Sequence, residues 1–169
     1  FNLKKRKKIL IAGSSGMIGT QLCAFFDTGG HDVWRLVRRE IDPESNEIFW
    51  DPENKIINAG KIEGFDAIIH LGGAGIGDKR WTKKRKKLIQ DSRKLSTLLL
   101  SETISKLKQK PEVFLVASAI GIYGNRGDEE LNEKSSPGSG FLTETTLNWE
   151  SYTEIAKNSG IRVINIRTG

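Results

Sequence analysis

Three glycines recur at intervals of three, Gly13, Gly16 and Gly19, with Ser14, Ser15, Met17 and Ile18 between them. The G-x-x-G-x-x-G spacing suits a turn that meets a phosphate. One glycine tolerates the φ/ψ of a tight turn, a second lets backbone approach the phosphate, and a third lets a helix pack on a strand. A helix starting there offers free N–H groups and a positive dipole end to a pyrophosphate. Ser14 and Ser15 add hydroxyl donors. Arg38 stands nineteen residues past Gly19, followed by Arg39, and no acid appears until Glu40. An acid in that region grips the ribose 2′-OH of NAD, whereas a guanidinium suits the 2′-phosphate of NADP through bidentate charged hydrogen bonds. The competing readings are a glycine-rich turn without a ligand and a solvated arginine pair. The surrounding elements favour the ligand-binding reading and a preference for NADP over NAD.

Those elements alternate. Residues 9–12 form a short continuous apolar run, the pattern of a strand buried on both faces of a parallel sheet. Ile18, Leu22, Phe25 and Phe26 follow at helical spacing and stop at Gly29 and Gly30. Residues 33–37, 47–50, 67–71, 113–117 and 161–166 read as further strands. Between them, 82–108 reads as a helix with Leu88, Leu95, Leu98, Leu99 and Leu107 on its apolar face, ended by Pro111. Residues 121–140 read as a Gly- and Ser-rich loop and 141–158 as a helix. Strand–helix alternation of this kind predicts an α/β fold, a doubly wound parallel sheet with helices on both faces. The glycine motif lies in its first βαβ unit.

Composition narrows the class. The 169 residues carry 28% charged and 37% hydrophobic side chains, a globular composition that fits one ordinary domain. No apolar run approaches the roughly 20 residues of a membrane helix. Cys23 is the only cysteine, so no intrachain disulfide forms, and it reads as a small core residue. His31 and His70 have no metal-ligand spacing, and no metal is expected. The net charge of +6 resides in two runs, residues 4–8 and the basic residues between Lys79 and Lys87; without them the balance is acidic. Such runs are more often solvated faces than binding sites, and no aromatic beyond Trp81 is interleaved with them, which argues against nucleic acid. The chain starts at Phe1 with no apolar signal core, so it reads as a piece of a longer cytoplasmic protein. Residues 1–8 read as a basic extension and 9–169 as one dinucleotide-binding domain.

Taken together, the chain resembles the extended short-chain dehydrogenase/reductase superfamily, and within it the atypical, sugar-nucleotide epimerase-like branch. The resemblance rests on the glycine motif and on Asp66-Ala-Ile-Ile-His-Leu-Gly-Gly73, Arg80-Trp81, Asp91-Ser-Arg93, Ala117-Ser-Ala-Ile-Gly-Ile-Tyr-Gly124, Gly140-Phe-Leu142, Trp149-Glu150 and Arg167-Thr-Gly169. It implies a Rossmann-type domain, truncated at Gly169 before a C-terminal substrate region. It also allows a further domain upstream. It implies cofactor contacts at Gly13, Ser14, Ser15, Gly16, Met17 and Ile18, with Arg38 at the 2′-phosphate and Asp51 near adenine. Leu71, Gly72 and Gly73 would line the adenosine and ribose side, and Ser118 would close over the nicotinamide.

The same resemblance exposes a departure. The superfamily's usual acid/base is the Tyr of a Tyr-x-x-x-Lys helix, whose phenol needs a nearby cation to act at neutral pH. Phe141 and Thr145 stand at those positions, and Phe has no proton to give. Ser118 and Tyr123 are the remaining catalytic candidates. Glu133, Glu144 and Glu150 are carboxylates that read more readily as surface or structural groups, and His70 as a packed strand residue. Two functions are therefore carried forward. One is an NADP-dependent oxidoreductase or epimerase acting on a small or nucleotide-linked substrate. The other is a dinucleotide-binding sensor or scaffold without turnover.

Overall fold

The computed structural model describes residues 5–77 and 79–169; Lys4 of the first basic run lies outside them. Seven strands form one sheet: β1 (Lys8–Ala12), β2 (Asp32–Val37), β3 (Glu47–Asp51), β4 (Ile56–Ile57), β5 (Ala67–His70), β6 (Val113–Ala119) and β7 (Arg162–Thr168). The spatial order is β4-β3-β2-β1-β5-β6-β7. All neighbours pair in parallel except β3 and β4, which form an antiparallel edge. The chain leaves β1 toward β2 and β3, then returns to the other side of β1 as β5. Strand order reverses between β1 and β5, the place where open α/β sheets hold ligands at the carboxyl ends of their strands.

Helices cover both faces, as expected of a Rossmann-type fold. Helix α1 (Met17–Thr28) lies over Ile9, Ile11, Val33 and Ile69, and Cys23 is buried in that cluster. Helices α2 (Lys83–Ser105), α3 (Phe141–Ser151) and α4 (Glu154–Asn158) cover the opposite face, whose core includes Leu10, Leu36, Ile48, Ile68, Phe114 and Val116. Helix α2 docks through Ile89, Leu100 and Ile104, all fully buried. Each contributes about 2 kcal/mol of apolar burial, which fixes the helix against the sheet.

Several elements differ from the sequence expectation, each for a local reason. The two-residue strand β4 carries too little pattern to be read alone. The helix expected over 141–158 breaks after Ser151. There the Thr153 hydroxyl donates to the Glu150 carbonyl and the Thr153 N–H bonds the same carbonyl, replacing the helical ladder. Helix α2 stops at Ser105, as Lys106 and Leu107 tighten onto Thr103 and Ile104. Residues 5–8 are not simply a solvated extension. Lys8 opens β1, and Lys7 Nζ lies 2.9 Å from Asp66 Oδ1 and 2.9 Å from Glu112 Oε1, tying the segment before β1 to the starts of β5 and β6. No helix among the described residues is long and apolar enough to cross a membrane.

Candidate functional site: a cleft over the strand ends

A cleft of about 1390 Å³ lies over the carboxyl ends of β1, β2, β3 and β5. The loop after β1 supplies Gly13, Ser14 and Ser15; the end of β2 supplies Arg38 and Arg39. Pro52 and Glu53 come from the turn after β3, Gly72 to Ala74 from the loop after β5, and Asp91, Ser92 and Ser96 from α2.

The three motif glycines have separable reasons. Gly13 sits at φ +83, and a Cβ there would lie 2.9 Å from Gly72 N and Leu71 C. The loops after β1 and β5 therefore touch backbone to backbone. A Cβ on Gly19 would fall 2.2 Å from the Gly13 carbonyl oxygen, so this glycine is required for α1 to leave the turn. Gly16 is different. A Cβ there would meet only Gly13 O at 3.5 Å, an ordinary contact. Among the described residues nothing stands where a Cβ on Gly16 would sit, so a glycine there leaves the backbone bare for a ligand to approach. Gly16 is also the N-cap of α1, where no side chain caps the helix. Met17 and Ile18 lie exposed on its first turn, Met17 at 85%. The residues present thus fit a pyrophosphate, on grounds independent of the motif itself.

The two arginines divide their work. Arg39 donates through Nη1 and Nη2 to the two carboxylate oxygens of Glu47, at 2.9 and 2.6 Å. That pair, with the Asp42 N–H, holds the Glu47 carboxyl below the usual carboxylate range. Arg38 makes no hydrogen bond or ion pair among the described residues and lies exposed on the cleft wall. Asp51 lies within its electrostatic reach: the Asp51 carboxyl is lowered chiefly by the Asn54 side chain and backbone and to a lesser degree by Arg38. Asp51 itself ties the β3–β4 turn together, accepting from the N–H groups of Glu53 and Asn54 and from Asn54 Nδ2. Pro52 and Glu53, rather than Asp51, form the wall there.

Other expected residues lie apart from the cleft. Ser118 is buried and donates to Glu150 Oε1 at 2.5 Å. Arg167 grips the same carboxylate through Nε at 2.8 Å and Nη2 at 2.9 Å, and donates through Nη1 to Tyr123 Oη at 2.8 Å. Burial would raise the Glu150 carboxyl, but Arg167 and Ser118 together hold it below the ordinary range. Tyr123, Glu150 and Arg167 border a separate hollow of about 550 Å³ beside β7. At the positions aligned with the Tyr and Lys of the superfamily, Phe141 packs edge-on against Trp81, ring centroids 5.5 Å apart, with Lys86 Nζ 4.9 Å over its ring. The Thr145 hydroxyl returns to the Phe141 carbonyl at 2.6 Å. His70 is fully buried, with Nε2 2.9 Å from Ser96 Oγ, and burial, aided by the Arg93 charge, pushes its pKa down to about 3. It is a neutral packing residue.

The sequence reading missed the α2 wall. Leu88 and Leu95, read as core, border the cleft, and Leu88 is 45% exposed. The buried stripe of α2 instead runs through Ile89, Arg93, Ser96, Leu100 and Ile104. The signal was present in the Ile89 to Ile104 spacing, but the leucines outweighed it.

A cleft bounded by a glycine turn, a helix start and an arginine at the end of β2, all at the reversal of strand order, defines a dinucleotide-binding site of the Rossmann class. The chain belongs to the NAD dependent epimerase/dehydratase family, whose sequence profile matches residues 9–169. An epimerase family protein of Mycobacterium leprae is 38% identical over 165 residues, 98% of this chain and 53% of its own length. A human epimerase family protein, SDR39U1, is 27% identical; its crystal structure with NADPH superposes with a TM-score of 0.83 over 96% of this chain and 53% of its own. A nucleoside-diphosphate sugar epimerase from Corynebacterium glutamicum is 38% identical with a TM-score of 0.84, over 97% of this chain and 34% of its own. The chain spans about half the length of the curated relatives it matches.

Proposed function

We propose that this domain holds NADP for an epimerase-like oxidoreductase of the atypical extended short-chain dehydrogenase/reductase type, acting on a small or nucleotide-linked substrate. One observation carries the choice of cofactor: Arg38 stands just past β2 with no hydrogen-bonding partner among the described residues, while its neighbour Arg39 is spent on Glu47. A free guanidinium at that place matches a 2′-phosphate. Gly13, Ser14, Ser15, Gly16, Met17 and Ile18 would hold the pyrophosphate, and Gly72 and Gly73 the ribose side. Leu71, directly after β5, would line the same side. When bound, the nicotinamide would supply hydride transfer; the protein supplies position and charge. The human relative solved with NADPH supports the same reading. Calorimetric titration of the whole protein with NADPH and NADH tests it. NADPH is expected to bind at least tenfold tighter, and equal affinities would overturn the assignment.

A second reading rests on Phe141 and Thr145. Phe141 carries no proton and is packed against Trp81, and Thr145 is turned onto its own helix. A dinucleotide-binding sensor or scaffold needs no more. Hydride exchange between bound NADPH and any member of a carbonyl panel would remove this reading; binding without exchange would favour it.

A further inference from the structure

The cleft floor between β5 and α2 is a glycine-rich strip, Gly72, Gly73, Ala74 and Gly75. Glycine leaves the backbone of such a strip maximal freedom. At its two ends the Gly72 N–H bonds His70 Nδ1 at 3.4 Å and Arg85 Nη2 donates to the Gly75 carbonyl oxygen at 2.6 Å; at its middle, α2 holds it by the peptide groups of Ala74. Ser92 Oγ accepts from the Ala74 N–H at 3.0 Å. Arg93 Nη1 donates to the Ala74 carbonyl oxygen at 3.0 Å. Adjacent residues of one helix thus take both polar groups of a single residue. The same two side chains anchor on one point of α2, because Ser92 Oγ and Arg93 Nη1 both donate to the Ile89 carbonyl oxygen.

Arg93 is an expensive choice for this task. It is 9% exposed, lies 4.8 Å over the Trp149 ring, and has no carboxylate partner among the described residues. A buried cation without a counter-charge is costly, and an apolar side chain of similar length commonly serves stability as well or better. Packing alone does not explain a guanidinium there. The strip does: a Cβ on Gly73 would lie 3.2 Å from Arg93 Cζ, so Gly73 is seated directly on the guanidinium.

We infer that Ser92 and Arg93 are positioning residues, a two-point clamp that fixes Ala74 and thereby sets the cleft floor for the dinucleotide. The inference rests on the proposed cofactor reading for its effect on binding, and on geometry alone for its effect on the strip. It predicts that stability and binding separate. Arg93→Met keeps the packing on Trp149 and removes the buried charge, so thermal stability holds or rises. Ser92→Ala removes one hydroxyl.

The test measures amide hydrogen exchange, melting temperature and NADPH affinity for the whole protein with Ser92→Ala, Arg93→Met and Arg93→Lys. Exchange across residues 72–77 is expected to quicken on the order of tenfold in Ser92→Ala and Arg93→Met, with β1 and β5 unchanged. NADPH affinity should fall by about the same factor without a matching drop in melting temperature, and Arg93→Lys, which retains a donor, should recover part of both effects. Unchanged exchange over 72–77 in folded variants would overturn the clamp. So would an affinity loss that simply follows a loss of melting temperature. Failure of the wild-type protein to bind NADPH would instead remove the cofactor reading, leaving the exchange result to decide the clamp. Should Arg93→Met not fold, Ser92→Ala carries the same comparison.

Discussion

Replacing Arg38 by Ser should strip this site of its preference for NADPH while leaving NADH binding nearly untouched. Arg38 is exposed and has no hydrogen bond among the described residues to lose, so its removal should leave the fold intact. A bidentate contact with the 2′-phosphate comprises two hydrogen bonds with a charged partner, each about 1.5–3 kcal/mol when shielded. Exposure to water reduces the pair to about 2 kcal/mol, roughly thirtyfold in Kd. NADH lacks the phosphate and should shift by less than about twofold. The control is Arg39→Ser. It leaves the well-covered Glu47 carboxylate without its bidentate partner, so the melting temperature falls while the ratio of NADPH to NADH affinity stays near the wild-type value. Nicotinamide fluorescence titrations at low and moderate salt provide the assay, and the NADPH advantage should shrink as salt screens the exposed contact. An unchanged affinity ratio in Arg38→Ser would rule Arg38 out as the 2′-phosphate contact, as would loss of the ratio in Arg39→Ser with stability intact.

Further outcomes follow from the same geometry. Gly16→Ala should melt within a few degrees of wild type yet bind NADPH more weakly, because its Cβ meets nothing closer than Gly13 O at 3.5 Å; calorimetry and thermal melts check both halves. Gly19→Ala, whose Cβ would stand 2.2 Å from Gly13 O, should destabilise the fold by about 2 kcal/mol or more in a urea titration. Ser118→Ala should lower stability through Glu150 and leave NADPH affinity within about twofold. His70, neutral in the fold with a pKa near 3, binds a proton more readily when unfolded, at its ordinary value of about 6.5. Its contribution is therefore complete above pH 6.5 and declines as pH falls toward 3. Between pH 6.5 and 5 the wild type should lose stability with a slope of up to about 1.4 kcal/mol per pH unit that His70→Gln lacks, as read from urea unfolding at each pH.

The sequence made some elements plain because one physical requirement fixed each of them. The run 9–12 is apolar at every position because β1 is buried on both faces at the centre of the sheet. The glycine spacing survives because Gly13 and Gly19 have neighbours where a Cβ would sit. Other features depend on contacts far apart in the chain and left no local mark. Whether Arg38 or Arg39 is free is decided by Glu47, eight residues past Arg39 on the adjacent strand. The hydroxyl of Ser118 is engaged by Glu150 from α3, and Arg167 from β7 grips the same carboxylate. The boundary between α3 and α4 turns on one threonine hydroxyl rather than on Pro or Gly. Helix α2 misled because its leucines face two ways: Leu99 and Leu100 enter the core, while Leu88 and Leu95 border the cleft.

A crystal structure of the whole protein with NADPH would show directly which residues meet the cofactor. The pyrophosphate is expected over Gly16 and the start of α1, the 2′-phosphate on Arg38, and Arg39 still paired with Glu47. A 2′-phosphate bound by Arg39 with Glu47 displaced, or a dinucleotide lying outside the cleft between the Gly13 turn and the Gly72 strip, would contradict this placement.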